Sequence, residues 1–176
     1  MLGYACLVAI MSMGRGYHCV SEVNLHQETV ANDFPTPIVT SAGALINGLK
    51  VLGAKQISII TPYMRPLTDK VVDYIEHQGI KVKESIALEI PDNLEVAAQN
   101  PMNLLEIYKQ LDLTDVDVLV ASACVQMPSL EAIDLIQAEC GIPVTSAAVC
   151  TTYEMMKKLN IEAKAPIGGE LLCGKY

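Results

Sequence analysis

The feature that most constrains this chain is a series of short, mostly apolar stretches, each followed by a helix-like pattern. Ala5–Ile10 is continuous, Val116–Ala121, apolar but for Asp117, is the most convincing buried strand, and Gln56–Ile60 reads as a further strand. An unbroken apolar run of that length suits a strand buried on both faces, which is the habit of parallel sheets covered by helices. Ile38–Thr40, Lys81–Ile90 and Val144–Thr145 complete the strand candidates. Between them, helices are expected over Val20–Ala31, from Thr40 or Ser41 to Leu52, and from Pro66 toward Gly79, with Leu67, Val71, Val72 and Ile75 on one face. Leu94–Ala98, Leu104–Leu111, a Pro128-initiated stretch to about Glu139, and a Ser146-capped stretch to Leu159 follow. Strand–helix alternation of this kind means βαβ units and a mainly parallel α/β sheet.

Composition narrows the function classes. With 51% hydrophobic residues in 176, the chain can bury a real core and is not a disordered segment. One Phe and no Trp speak against an all-β sandwich. The formal charge of -8 leaves no basic footprint for nucleic acid. Residues 1–13 are apolar but lack a basic leader and are too short to span a bilayer, so they read as a buried strand rather than a membrane segment. A chain that opens on a core strand suggests that a segment N-terminal to it is missing. No GxGxxG, Walker A or GxSxG pattern is present, which disfavours dinucleotide, nucleotide and α/β-hydrolase chemistry.

Six cysteines lie at 6, 19, 124, 140, 150 and 173, with no CxxC pair and no zinc-like spacing to the three histidines. Reduced thiols and a cytoplasmic setting follow. Free cysteine is among the most buried residue types, so Cys19, Cys140, Cys150 and Cys173 read as core thiols. Cys124 stands apart, because it follows a core strand and precedes Pro128, where free amides and a helix dipole can act on a thiol. A weak repeat adds to this. Ala5-Cys6 and Ala123-Cys124 each accompany a core strand, and Thr40-Ser41-Ala42 and Thr145-Ser146-Ala147 each open a helix. Those openings are N-caps first, and also termini suited to a carboxylate.

The motifs carry a resemblance. Tyr4-Ala-Cys6-Leu-Val8, Gly16-Tyr17-His18, Thr40-Ser-Ala-Gly-Ala44, Ile60-Thr-Pro-Tyr63-Met-Arg-Pro66, Pro91-Asp-Asn93-Leu94 and Ser122-Ala-Cys124-Val-Gln-Met-Pro-Ser129 resemble the maleate cis–trans isomerase family, within the aspartate/glutamate racemase superfamily. The resemblance implies two facing Rossmann-like lobes with parallel sheets, each lobe supplying one cysteine. Residues 41–144 would form one lobe, and residues 1–40 with 145–176 the other, incomplete at its N-terminus. It further implies that Cys6 adds to an olefinic carbon of maleate and that Cys124 exchanges a proton at the other. Tyr63, Asn93 and the backbone near Val8 would hold the carboxylates. The chemistry implied needs no cofactor and no metal, because a thiolate both attacks and leaves. The partner implied is a small dicarboxylate, and a homo-oligomer is expected because apolar sheet edges favour association. Competing readings are a two-cysteine amino-acid racemase and an inactive truncated member. A decarboxylase of the superfamily, which tends to use one cysteine, fits the two-cysteine pattern less well.

Overall fold

A computed structural model describes residues 39–176. The expected strand Ala5–Ile10, the helix Val20–Ala31, and Cys6, Val8 and Cys19 lie outside the described residues.

The described chain is α/β. Helix α1 spans Ser41–Val51, strand β1 Gln56–Thr61, helix α2 Arg65–His77 and strand β2 Lys81–Ala87. The short helix α3 covers Asn93–Ala97, and α4 covers Leu104–Ile107 between two 3-10 turns. Strand β3 spans Val118–Ser122, helix α5 Leu130–Cys140, strand β4 Val144–Ser146 and helix α6 Ala147–Lys158. The four strands form one parallel sheet in the order β2-β1-β3-β4. One sheet is therefore described, and a facing second sheet is not among the described residues.

The central strands are the apolar runs of the sequence. Ile57, Ile59 and Ile60 of β1 and Val118, Leu119 and Val120 of β3 are fully buried. Burying one such side chain contributes roughly 1.5–3 kcal/mol, so these two strands anchor the domain. Edge strand β2 is half-buried along most of its length, as expected where one side of a sheet meets fewer neighbours.

Several boundaries depart from the sequence expectation. Val39 and Thr40 are not strand residues; Thr40 is extended and caps α1, its hydroxyl accepting from the Gly43 amide at 3.2 Å. In α2 the buried stripe is Thr68, Val71 and Ile75, while Leu67 and Val72 are only half-buried. A threonine is tolerated in that stripe because its hydroxyl bonds the Thr61 hydroxyl at 2.6 Å. The stretch 104–111 is one helical turn between 3-10 turns rather than a single helix. Helix α5 starts at Leu130, with Ser129 at the N-cap, so Pro128 lies outside it.

Helices α1 and α6 pack against each other more extensively than any other described helix pair. Gly48 makes this possible: a Cβ there would meet the Cys150 sulfur at 2.5 Å and Leu171 at 3.2 Å. The two helices open on the repeated Thr-Ser-Ala motif but use it differently. Thr40 caps α1, whereas Ser146 caps α6 by accepting from the Val149 amide at 3.3 Å. Thr145 instead contacts the Cys150 sulfur at 3.3 Å, and the Ser41 hydroxyl is buried without a hydrogen-bond partner.

Candidate active site

In a parallel sheet the strands' carboxyl ends leave a row of loops where polar groups can converge. Tyr63 follows β1, Asn93 follows β2, and Cys124 follows β3. All three therefore sit at the same end of the sheet.

The Cys124 loop is tightly built. The Ala123 amide donates to the Ile60 carbonyl at 3.0 Å, extending the β3–β1 pairing one residue past the strand. The Ser122 hydroxyl then accepts from the Cys124 amide at 3.2 Å and donates to the Cys124 carbonyl at 2.9 Å. Both peptide groups of Cys124 are thus tied to one side chain, a local side-chain-to-backbone turn. Met127 is buried and pins the far end of the loop in the core. Cys124 is 7% exposed. Because α5 begins only at Leu130, Cys124 is not at a helix N-terminus, and the helix-dipole argument made from Pro128 does not apply to it.

Tyr63 is held as firmly. Its carbonyl accepts from the Glu89 amide at 3.2 Å and from the Thr68 hydroxyl at 3.4 Å. Its hydroxyl is buried and lacks a hydrogen-bond partner of good geometry. Burial above all, and then the charge and hydrogen-bonding capacity of the Cys124 thiol beside it, push the Tyr63 hydroxyl well above the ordinary tyrosine range. At neutral pH Tyr63 is therefore a neutral donor facing a thiol.

Asn93 opens α3 and is exposed. Asp92 caps this helix, accepting from Leu94 at 2.6 Å and Glu95 at 3.3 Å. The Asn93 carbonyl accepts from the Gln126 side-chain amide at 2.9 Å. The structure thus brings Tyr63 and Cys124 together directly, and draws Asn93 to the Cys124 loop through Gln126. Sequence reasoning assigned no role to Ser122 or Gln126. Their position inside the Ser122–Ser129 motif was the available signal, but their partners cannot be read from spacing.

The remaining thiols sort by environment. Cys150 is fully buried, and burial pushes its thiol up to about 12. Cys140 is half-buried at the end of α5. Cys173 is exposed, against the expectation of a core thiol, because the preceding turn buries Leu171 and Leu172 and leaves Cys173 at its outer end. Arg65 is committed to β2, donating to the Ser85 hydroxyl at 3.1 Å, and pairs with Asp69 at 3.8 Å. Among the described residues, no group of three or more His, Cys, Asp or Glu side chains is placed to hold a metal ion, and no helix is long and apolar enough to cross a membrane.

A family model described as arylmalonate decarboxylase matches residues 5–172. Maleate isomerase from Geobacillus stearothermophilus is 54% identical over 176 residues, covering 100% of this chain and 70% of that protein. The chain belongs to the maleate isomerase family. Solved structures of the family agree with the fold. A cysteine-to-alanine variant of the maleate isomerase Iso from Pseudomonas putida S16, crystallised with maleate, is 57% identical and superposes with a TM-score of 0.86 over 99% of this chain and 70% of that one. A cysteine-to-serine variant of Nocardia farcinica maleate cis–trans isomerase, 38% identical, superposes with a TM-score of 0.85 over 97% of this chain and 70% of that one. That variant carries a covalently bound succinylcysteine intermediate. Covalent cysteine chemistry is thus on record within the maleate isomerase family.

Proposed function

We propose that this chain catalyses the cofactor-independent cis–trans isomerisation of maleate to fumarate through a covalent cysteine adduct. The observation that carries this reading is the buried, unpartnered Tyr63 hydroxyl beside the Cys124 thiol at the carboxyl ends of the sheet. An uncommitted donor next to a thiol is suited to a carboxylate whose neighbouring carbon that thiol protonates. The 54% identity to a maleate isomerase supports the substrate.

In this mechanism the Cys6 thiolate adds to C2 of maleate, and the π electrons take a proton from the Cys124 thiol at C3. The product is a succinyl thioether on Cys6 and a thiolate on Cys124. The C2–C3 bond is now single and rotates. Cys124 then retakes a proton from C3, the double bond re-forms in the trans geometry, and the Cys6 thiolate leaves. No net proton or electron is consumed. Tyr63, Asn93 and the backbone at Val8 hold the two carboxylates. The same reading assigns residues 41–144 to one lobe and residues 1–40 with 145–176 to the other, with the packed helices α1 and α6 at the crossings. It also takes the enzyme to be a cytoplasmic homo-oligomer.

The test is maleate turnover followed by proton NMR, with intact-mass analysis of two variants. Cys6→Ser abolishes turnover and shows no mass gain with maleate. Cys124→Ser retains a residue of activity, reduced by about 10²–10⁴-fold, and accumulates a mass gain of one substrate. An adduct mapped to Cys124 reverses the assigned roles. Exchange of D- and L-aspartate in place of maleate turnover overturns the reading in favour of a racemase.

A further inference from the structure

We propose that Gln126 is a positioning residue: its side-chain amide, bonded to the Asn93 carbonyl, holds the substrate-binding end of α3 in register with the Cys124 thiol. This rests on the reading of Asn93 as a carboxylate ligand.

The two partners differ sharply in how they are supported. The Cys124 loop is clasped by the Ser122 hydroxyl on both sides of Cys124 and tied to β1 through the Ala123 amide. Met127, next to Gln126, is 2% exposed. Helix α3 has little of this. Of its five residues only Val96 is buried, and Leu94 is 79% exposed. Its cap and the Gln99 amide on the Glu95 carbonyl are local bonds, which shape the helix without placing it. The Gln126–Asn93 bond spans 33 residues of sequence and ties the closely bonded loop to a helix otherwise anchored in the core through Val96.

The reaction makes this tie consequential. Each carboxylate must be gripped while the bond between C2 and C3 turns, and the proton must leave and return at one carbon. A ligand on a drifting five-residue helix would lose alignment with the Cys124 thiol, and small misplacements of positioning groups are costly. The amide on the Asn93 carbonyl acts at the backbone, so it constrains Asn93 without consuming its side chain.

The experiment compares Gln126→Met, which keeps length and removes the donor, and Gln126→Glu, which sets an acceptor against the Asn93 carbonyl. Gln126 is exposed, so both variants fold, as the thermal midpoint verifies. In the full chain, hydrogen exchange is read over residues 93–98, together with kcat and KM for maleate. The expected result is faster exchange in that segment and a rise in KM of about 2- to 10-fold, the worth of one net hydrogen bond, with kcat changed less than KM. Unchanged exchange in both variants overturns the tether whatever the activity. Faster exchange with an unchanged KM overturns the positioning role, as does a lowered thermal midpoint with neither kinetic change. Absence of maleate turnover in the wild-type chain overturns the functional reading and the role of Gln126 with it, while the exchange data still decide whether the tether exists.

Discussion

Replacing Tyr63 by Phe should make the protein more stable and less active. The Tyr63 hydroxyl is buried and has no hydrogen-bond partner of good geometry, so the folded protein carries the desolvation cost of that group without compensation. Such a cost is about 1–3 kcal/mol. Phenylalanine keeps the ring and its packing against the core. For a chain of this length, 1 kcal/mol moves the thermal midpoint by about 2–4 °C. The substrate-free Tyr63→Phe variant should therefore melt about 2–12 °C higher. Turnover should move the other way. A hydrogen bond to a charged group contributes about 1.5–3 kcal/mol, so its loss lowers kcat/KM for maleate by roughly 10- to 150-fold. Differential scanning calorimetry without ligand and a fumarate-formation assay together read both effects. A lower melting point would mean that the hydroxyl already has a structural partner. An unchanged kcat/KM would mean that it does not touch the substrate.

The same hydroxyl sets a pH dependence. Burial raises its folded pKa above the unfolded value of about 10, so stability is intact below pH 10 and falls above it, as the unfolded chain ionises where the folded one does not. The slope from one such group approaches about 1.4 kcal/mol per pH unit, and urea titrations above pH 10 should show a shallower loss in Tyr63→Phe than in wild type. Gly48→Ala should destabilise despite the better helix former. The added methyl would lie 2.5 Å from the Cys150 sulfur, an overpacking cost of about 1–3 kcal/mol set against about 1 kcal/mol of helix propensity. Thermal melts should show the loss largely relieved in the Cys150→Ala background, and equal losses in both backgrounds would show that the sulfur is not what limits the approach of α1 to α6.

The sequence by itself determined the class of the fold. Val118–Ala121 carries no polar residue and is fully buried, as a strand covered on both faces is, so the parallel α/β arrangement was legible from the order of strands and helices. The start of α6 was equally local, because a cap needs only the serine and the amide three residues on. At α1 the same motif left Thr40 and Ser41 equivalent, and packing chose Thr40 as the cap while leaving Ser41 buried. Cysteine burial also escaped the pattern. Cys150 and Cys173 read alike in sequence, yet one fills the narrow gap over Gly48 and the other ends an outward-facing turn. The candidate site depended most on tertiary structure. Tyr63 and Cys124 are 61 positions apart, and Asn93 and Gln126 are 33 apart. Local propensity acts over a few residues along the chain. The contacts that isolate the Tyr63 hydroxyl and moor α3 exist only after three parallel strands have aligned their carboxyl ends.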